Sequence, residues 1–188
     1  MSLPHFFLRE QVLAFESAPV FALHLDADDT KHAKVLRLAV GEHIAVVDAV
    51  SDYFECEIVS FEGDELSVSI AQKLSSYARP EVVLVQGLAK GEKMDTIVRH
   101  ATEVGIAEFV PMTTSRSVVK LDAKKSKARF ERWASIAKSA AMQSGRSSKP
   151  VVHAPCSVAG AVDIAKDCDA VLICWEEAEL SSTLAEAV

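Results

Sequence analysis

A loop with two lysines and two glycines is suited to binding an anion. The stretch 87–93 (GLAKGEK) follows an apolar run and precedes a segment with helical periodicity. Free N–H groups at a helix start, together with Lys90 and Lys93, can hold phosphate. The spacing matches neither the P-loop nor the dinucleotide-binding glycine pattern. The loop is therefore either an anion site or a glycine-rich turn with two surface lysines.

Two arginines occupy positions where each could bind phosphate or a carboxylate. Arg116 follows a predicted strand, at the sheet edge where parallel α/β proteins bind ligands. Arg146 follows Gly145, which we expect to end a long helix, so Arg146 could instead interact with the helix dipole. His32 and Arg37 lie five residues apart on or beside a shorter predicted helix. Their spacing alone does not distinguish a functional pair from a structural one.

The formal net charge of −7 is unevenly distributed along the chain. Residues 86–150 carry a net +7, whereas residues 1–85 carry −8 and residues 151–188 carry −6. A basic middle segment between acidic flanks can hold a polyanion. The alternative is that its lysines, Lys120 among them, simply solvate the start of a helix.

The composition excludes several protein classes. With 188 residues, 49% hydrophobic and 25% charged, the chain is expected to be globular. It has no apolar run of membrane-spanning length and no signal pattern, so we expect a cytoplasmic protein. The four cysteines lack C-x-x-C spacing and the six histidines lack H-x-x-x-H spacing, so we expect buried free thiols and no metal site.

The first 75 residues are predicted to form a small β-barrel with one helix. Strands are expected at 20–23, 43–49, 53–61 and 66–74, and the turn signal at 62–64 joins the last two as a hairpin. Asp28 or Asp29 can cap the helix between residues 25 and 41. Its apolar side is expected to contain Ala33, Leu36 and Val40.

Residues 76–188 are predicted to form a parallel α/β unit. Strands at 82–85, 109–112, 151–152 and 170–175 alternate with helices at 92–104, 123–143 and 158–165 and a further helix from residue 180. The apolar face of the first of these helices is expected to run from Met94 to Val104. Gly105 is expected to end that helix.

Five motifs follow one another in an order that resembles a known family. They are HAKVLR (32–37), KGEKMD (90–95), TEVG (102–105), RSVVK (116–120) and AAMQSGR (140–146). Together they resemble the bacterial 16S ribosomal RNA (uracil-N3)-methyltransferases of the RsmE type, in the SPOUT superfamily. The likeness is colinear as far as about residue 177.

The resemblance implies a two-domain α/β fold. Residues 1–75 would be a PUA-like barrel that binds ribosomal RNA. Residues 76–188 would be a SPOUT domain with a trefoil knot that binds S-adenosylmethionine and forms a homodimer. Such a protein methylates N3 of one uridine in the 16S RNA of the small subunit.

With this reaction in view, roles can be predicted for nine residues. Arg116, Lys90 and Arg146 are candidates to stabilise the charge that develops on uracil. RNA-binding candidates are His32, Arg37, Lys93 and Lys120, and Trp175 and Glu176 match the edge of the family's cofactor pocket. No catalytic base is identified.

The sequence departs from the family pattern in three places. His5 stands where the family has an arginine before the aromatic pair, and Met142 stands where a glutamate is common. The blocks GPEGG and LGxxILRxETA, which build the knot and the cofactor pocket, do not occur. We therefore expect a domain incomplete at its C-terminus, without the knot region. Two alternatives are an RNA-binding module without enzymatic activity and a protein that binds ATP or GTP through residues 87–93.

Overall fold

The computed structural model describes residues 3–75, 80–117, 119 and 121–174. Strands and helices are named in chain order, and a short 3-10 helix (Leu13–Phe15) lies between the first two strands. The strands are β1 (His5–Phe7), β2 (Phe21–Ala22), β3 (His43–Val47), β4 (Tyr53–Glu62), β5 (Glu65–Leu74), β6 (Val83–Gly87), β7 (Glu108–Thr113), β8 (Val151–Val152) and β9 (Cys156–Ser157). The helices are α1 (Ala27–Val35), α2 (Lys93–Val104), α3 (Ala123–Gln143) and α4 (Val158–Ala165).

The first five strands form one mixed sheet in the order β1-β3-β4-β5-β2. β1 runs parallel to β3 and the other neighbours are antiparallel. The predicted hairpin is confirmed, because Glu62 pairs with Glu65 around Gly63, whose φ of 63° suits a residue without a Cβ. No ladder joins β1 to β2 within the described residues. The closed barrel therefore stays a prediction.

α1 packs on this sheet differently from the sequence prediction. Asp26 caps the helix by accepting a hydrogen bond from the backbone N–H of Asp29 at 2.8 Å, so the cap lies two or three residues earlier than expected. Ala33 is fully buried, but Leu36 and Val40 are 41% and 68% exposed. The predicted apolar side fails at these two positions because α1 ends at Val35, so the helical periodicity does not continue to them, and Leu38 packs on the core instead.

The remaining strands form a parallel sheet in the order β6-β7-β8, and β9 also pairs with β7. This confirms the mixed α/β fold with a parallel sheet. The predicted strand at 170–175 is wrong over its described part, because residues 170–174 form no strand. A strand needs a neighbour to satisfy its backbone hydrogen bonds, and no described strand pairs with this run, in which Ile173 is 85% exposed.

α2 and α3 pack together over the parallel sheet. Met94 and Val98 of α2 are buried with Trp133 and Ala137 of α3, which confirms most of both predicted apolar faces. Val104 is 79% exposed, contrary to prediction, because it lies in the last turn of α2 just before Gly105 reverses the chain with a φ of 114°. Among the described helices, none combines the length and hydropathy needed to cross a membrane.

Candidate functional site

Three cations emerge from one edge of the parallel sheet. β6 and β7 are paired in register up to Gly87 and Met112, so their carboxyl ends lie side by side. Lys90 lies three residues beyond the end of β6, and Lys93 is the first residue of α2. Arg116 lies three residues beyond the end of β7. The sequence prediction that this edge gathers positive charge therefore agrees with the strand register.

A short turn presents Arg116 at this edge. The Ser117 hydroxyl accepts a hydrogen bond from the Thr114 backbone N–H at 2.9 Å, and the Ser117 N–H donates to the Thr114 carbonyl at 3.0 Å. Serine and threonine favour such turns because their hydroxyls bond to nearby backbone groups. Thr113 anchors the start of the turn by donating to the Cys156 carbonyl at 2.9 Å. Arg116 is exposed in this hydrogen-bonded turn.

The edge cations are available to a ligand. Lys90, Lys93 and Arg116 are exposed, and none has a carboxylate within salt-bridge distance in the described part of the chain. α3 begins at the same edge and adds the exposed Lys124, which is also unpaired among the described residues, whereas Lys127 of the same helix lies 3.9 Å from the Glu131 carboxylate. Unpaired cations grouped in this way attract phosphate without losing an internal ion pair.

Asp95 holds the two helices of this edge together, and sequence reasoning missed it. Its Oδ2 accepts hydrogen bonds from Arg132 Nε at 2.9 Å and Nη2 at 2.6 Å, and its Oδ1 accepts from the Trp133 indole N–H at 3.1 Å. Hydrogen bonds from Arg132 hold the pKa of Asp95 below its usual value, against the effect of desolvation. The sequence does carry one signal that could have identified Asp95, because this acidic residue lies within the apolar helix face that Met94 and Val98 define.

Arg146 lies at the opposite edge of the parallel sheet. Its Nη1 donates to the carbonyl oxygens of Thr102 at 3.1 Å and Ile106 at 2.7 Å, where α2 ends and the chain enters β7. Lys90 and Arg116 lie beyond the other end of β6 and β7, and a six-residue strand is about 20 Å long. The strand register therefore places Lys90, Lys93 and Arg116 beyond one edge of the sheet and Arg146 at the other edge.

The two N-terminal candidates lie at the end of α1. His32 belongs to the last turn of the helix and faces α3 across a cavity. Arg37 lies just beyond the helix with a φ of 55°, an uncommon conformation for a residue with a Cβ. Both side chains are exposed.

One lysine connects the mixed sheet's helix to the parallel unit. Lys138 of α3 lies 2.7 Å from Asp29 and 3.0 Å from Asp26, with the lysine side chain only 19% exposed. Burial raises the pKa of Asp29, and the bond from Lys138 opposes that rise. Arg9 also contacts Asp26 at 3.0 Å, from an exposed position.

The four cysteines lie in different environments. All four are free thiols, as predicted, but the expectation that they are buried holds only for Cys56, and Cys174 is exposed. Burial raises the pKa of Cys56 to about 12, which keeps it protonated and unreactive near neutral pH. Within the described ranges, no cluster of three or more His, Cys, Asp or Glu side chains is placed to hold a metal ion.

Three predicted site residues lie outside the described residues. They are Lys120, assigned to RNA, and Trp175 and Glu176, assigned to the cofactor. Their roles stay predictions. The predicted helix from residue 180 lies in the same undescribed part of the chain.

A family model for the RNA methyltransferase domain matches residues 77–188, which include the whole parallel sheet. The chain belongs to this RNA methyltransferase family. A family relative, the ribosomal RNA small subunit methyltransferase E of Bacillus subtilis (strain 168), is 33% identical over 165 residues, covering 86% of this chain and 64% of the relative. The resemblance found in the sequence is thereby confirmed.

Solved structures agree with this family membership. The crystal structure of a hypothetical protein, 31% identical, superposes with a TM-score of 0.81 over 92% of this chain and 71% of its own. A Legionella pneumophila protein solved in complex with bound S-adenosylmethionine is 25% identical, with a TM-score of 0.73 over 88% of this chain and 68% of its own. The chain spans 64% of the length of the Bacillus subtilis relative.

Proposed function

We propose that this protein methylates N3 of a specific uridine in the 16S RNA of the small ribosomal subunit, with S-adenosylmethionine as the methyl donor. The observation that carries the proposal is the group of unpaired cations, Lys90, Lys93 and Arg116, at the carboxyl edge of the family-matched domain. The name of the Bacillus subtilis relative supports the RNA substrate, and the cofactor bound to the Legionella protein supports the donor. Such a substrate would place the protein in the cytoplasm.

The chemistry explains why this edge needs cations. Uracil N3 carries a proton at neutral pH, so the ring must lose or share that proton before N3 can act as a nucleophile. The resulting negative charge spreads to the ring oxygens, where an arginine or lysine stabilises it best in a site from which water is excluded. Arg116 and Lys90 are the proposed partners of that charge, and Lys93 holds a phosphate.

The finer domain assignment also belongs to this proposal. Residues 1–75 act as a PUA-like RNA-binding barrel with His32 and Arg37 on its helix. Residues 76–188 act as the SPOUT methyltransferase domain, whose family fold contains a trefoil knot, and the protein works as a homodimer. Lys120 contributes to RNA binding, and Trp175 and Glu176 contribute to the cofactor pocket.

The described residues do not by themselves fit the cofactor. The cavity at the carboxyl edge, lined by Gly91, Met94 and Trp133 among others, has a volume of about 30 Å³. Small-molecule pockets measure roughly 300–1,000 Å³. The role of the described residues in the reaction is therefore to bind RNA and stabilise charge on the base.

A methyl-transfer assay tests the proposal. Small subunits lacking the modification are incubated with the 188-residue chain and methyl-labelled S-adenosylmethionine, and labelled N3-methyluridine is measured by nuclease digestion and mass spectrometry. The Bacillus subtilis relative serves as the positive control for the subunits. Arg116→Ala should lower the rate at least tenfold, whereas Lys166→Ala, an exposed cation after α4, should not change it.

Two outcomes would contradict the proposal. Labelled product at another position would refute the assigned chemistry. RNA binding with no transfer under conditions where the relative is active would favour the non-enzymatic RNA-binding alternative.

A further inference from the structure

A groove between the two units of the chain has no role in the proposed transfer site. It is a cavity of about 600 Å³ between the chain leading into β1, α1 and the second half of α3. A second cavity, of about 490 Å³, adjoins it and shares Ser135, Ser139 and Gln143 of α3. We call the first cavity the α1–α3 groove. Its volume is in the range of small-molecule and nucleotide-sized pockets.

Both side chains that depart from the family pattern, His5 and Met142, line this groove. His5 Nδ1 lies 3.0 Å from the Leu3 carbonyl, which can only accept, so Nδ1 carries the proton. In the neutral ring this leaves Nε2 to accept a hydrogen bond from the Tyr53 hydroxyl at 2.7 Å. Burial lowers the pKa of His5, which favours the uncharged ring near neutral pH. Where the family pattern has an arginine and a glutamate, the groove of this protein has two uncharged side chains.

The α3 wall of the groove offers unpartnered hydrogen-bonding groups. Ser135, Ser139 and Gln143 are spaced four residues apart, so they lie on one face of the helix. None of these three side chains has a hydrogen-bond partner among the described residues, and all are exposed. Pro4 and Met142 add apolar surface beside them. A planar ring with polar edges and apolar faces matches such a lining.

The charge of the groove determines which part of a nucleotide it can accept. Asp28 is exposed, lines the groove and has no salt-bridge partner among the described residues. Lys138, the lysine in the groove, is already bonded to Asp26 and Asp29. A free carboxylate repels phosphate but accepts hydrogen bonds from the amino group of a base.

We propose that the α1–α3 groove binds one unpaired nucleobase that carries an exocyclic amino group, in the RNA to which this protein binds. The proposal rests on the proposed function only in taking RNA as the partner. Ser139 lies sixteen residues along α3 from Ala123, which places the groove about 24 Å from the carboxyl edge. The bound base is therefore a different nucleotide from the methylated one, and it sets the register of the RNA on the protein.

Binding of short RNAs without the methyl donor tests this directly. The probes are fluorescein-labelled ten-nucleotide RNAs: oligo(A), oligo(C), oligo(U) and an abasic ribose-phosphate chain of the same length. By fluorescence anisotropy, the unsubstituted chain should bind oligo(A) and oligo(C) about fivefold or more tightly than oligo(U) and the abasic chain. Equal affinity for all four probes, or no RNA binding at all, would overturn the proposal.

A second test fills the groove with a large side chain. Ser139→Trp should reduce the affinity for oligo(A) about fivefold or more. It should change the affinity for the abasic chain less than twofold. Ala71→Trp, an equally large change at an exposed position of β5, is the matched control and should change neither value. Equal oligo(A) affinities for the two variants would refute the groove as the base site. Thermal unfolding monitored by circular dichroism checks that both variants are folded.

A third variant keeps the test independent of groove filling. Asp28→Asn removes the carboxylate with almost no change in volume, so it should reduce the preference for oligo(A) over oligo(U). An unchanged preference would refute the role of the amino group. Base-dependent binding without methyl transfer would refute only the proposed function, and methyl transfer without base-dependent binding would refute only the groove.

Discussion

The Asp95 carboxylate and the Trp133 indole are joined by a hydrogen bond of 3.1 Å in the interior between α2 and α3. Trp133 is 2% exposed and Asp95 is 7% exposed. The same carboxylate accepts two hydrogen bonds from Arg132, so one side chain at the start of α2 fixes the position of α3. Because Lys93 is two residues before Asp95, this contact also sets the geometry of the cationic edge.

Replacing Asp95 with alanine should destabilise the protein by about 2 kcal/mol, because the buried indole N–H loses its acceptor. The measurement is the free energy of unfolding in urea at pH 7. Asp163→Ala, an exposed aspartate in α4, is the matched control and should change the free energy by less than about 0.5 kcal/mol. Equal effects of the two substitutions would show that the hydrogen bonds of Asp95 do not stabilise the packing of α2 against α3.

The lowered pKa of Asp95 predicts how the stability of the unsubstituted protein depends on pH. A carboxyl group with a lower pKa in the folded state stabilises the fold above its unfolded pKa, near 3.8, and loses that contribution as pH falls through the folded pKa. The stability difference between the unsubstituted protein and Asp95→Asn should therefore be constant from about pH 5 to 7 and shrink below about pH 4. A difference that stays constant to pH 3 would contradict the assigned ion pair.

Lys138→Met should destabilise the protein at neutral pH by about 2 kcal/mol, because Asp29 keeps a buried charge without its partner. The sign of the pH effect is the reverse of that for Asp95. The pKa of Asp29 is already raised by burial, and losing Lys138 raises it further, so the variant should become more stable as pH falls from 7 towards 4. Urea titrations at pH 7, 5.5 and 4 measure this.

Adding Asp29→Asn to Lys138→Met provides the control. The double variant lacks the buried charge, so it should recover part of the lost stability at pH 7 and show little dependence on pH. If the double variant is as unstable as Lys138→Met at pH 7, the effect does not come from the Asp29 charge.

Arg37→Gly should stabilise the protein while weakening its binding to RNA. The backbone of Arg37 has a φ of 55°, which glycine adopts without the penalty of a Cβ, so a gain of about 0.5–1 kcal/mol is expected. If the guanidinium contacts a phosphate, the slope of log affinity for 16S RNA against log salt should fall by about 1. Ser51→Gly, at a φ of 67°, should give the stability gain alone. Identical salt slopes for both variants would remove Arg37 from the RNA-binding set.

The parts predicted correctly from the sequence were those that local rules determine. Gly63 and Gly105 ended their elements as expected because each adopts a positive φ, and the periodicity of 123–143 gave the bounds of α3. The predictions failed where a distant partner decides the structure. The run 170–174 lacks a neighbouring strand among the described residues. The α1 cap is a different kind of failure, because Asp26 bonds to Asp29 only three residues away, and three nearby aspartates could each have served as the cap.

The candidate site was predictable in part for the same reason. Lys90 and Arg116 follow adjacent parallel strands, and chain order alone places both at one edge. Asp95 was missed because its partners, Arg132 and Trp133, lie 37 and 38 residues away along the chain. Arg146 was selected from the motif at 140–146, but its contacts with the end of α2 could only be seen in three dimensions.

Arg146 and Arg116 should give opposite results when each is changed to alanine. The guanidinium of Arg146 donates to the carbonyls of Thr102 and Ile106, so its loss should lower the free energy of unfolding by about 1.5–3 kcal/mol. Arg116 is exposed in its turn, so Arg116→Ala should leave stability unchanged but lower the rate of methyl transfer. Urea unfolding and methyl transfer, measured on both variants well below their unfolding temperatures, separate the two roles. A normal free energy of unfolding for Arg146→Ala together with a lost transfer rate would return Arg146 to the catalytic candidates, because the helix-end contacts would then not be what its guanidinium provides.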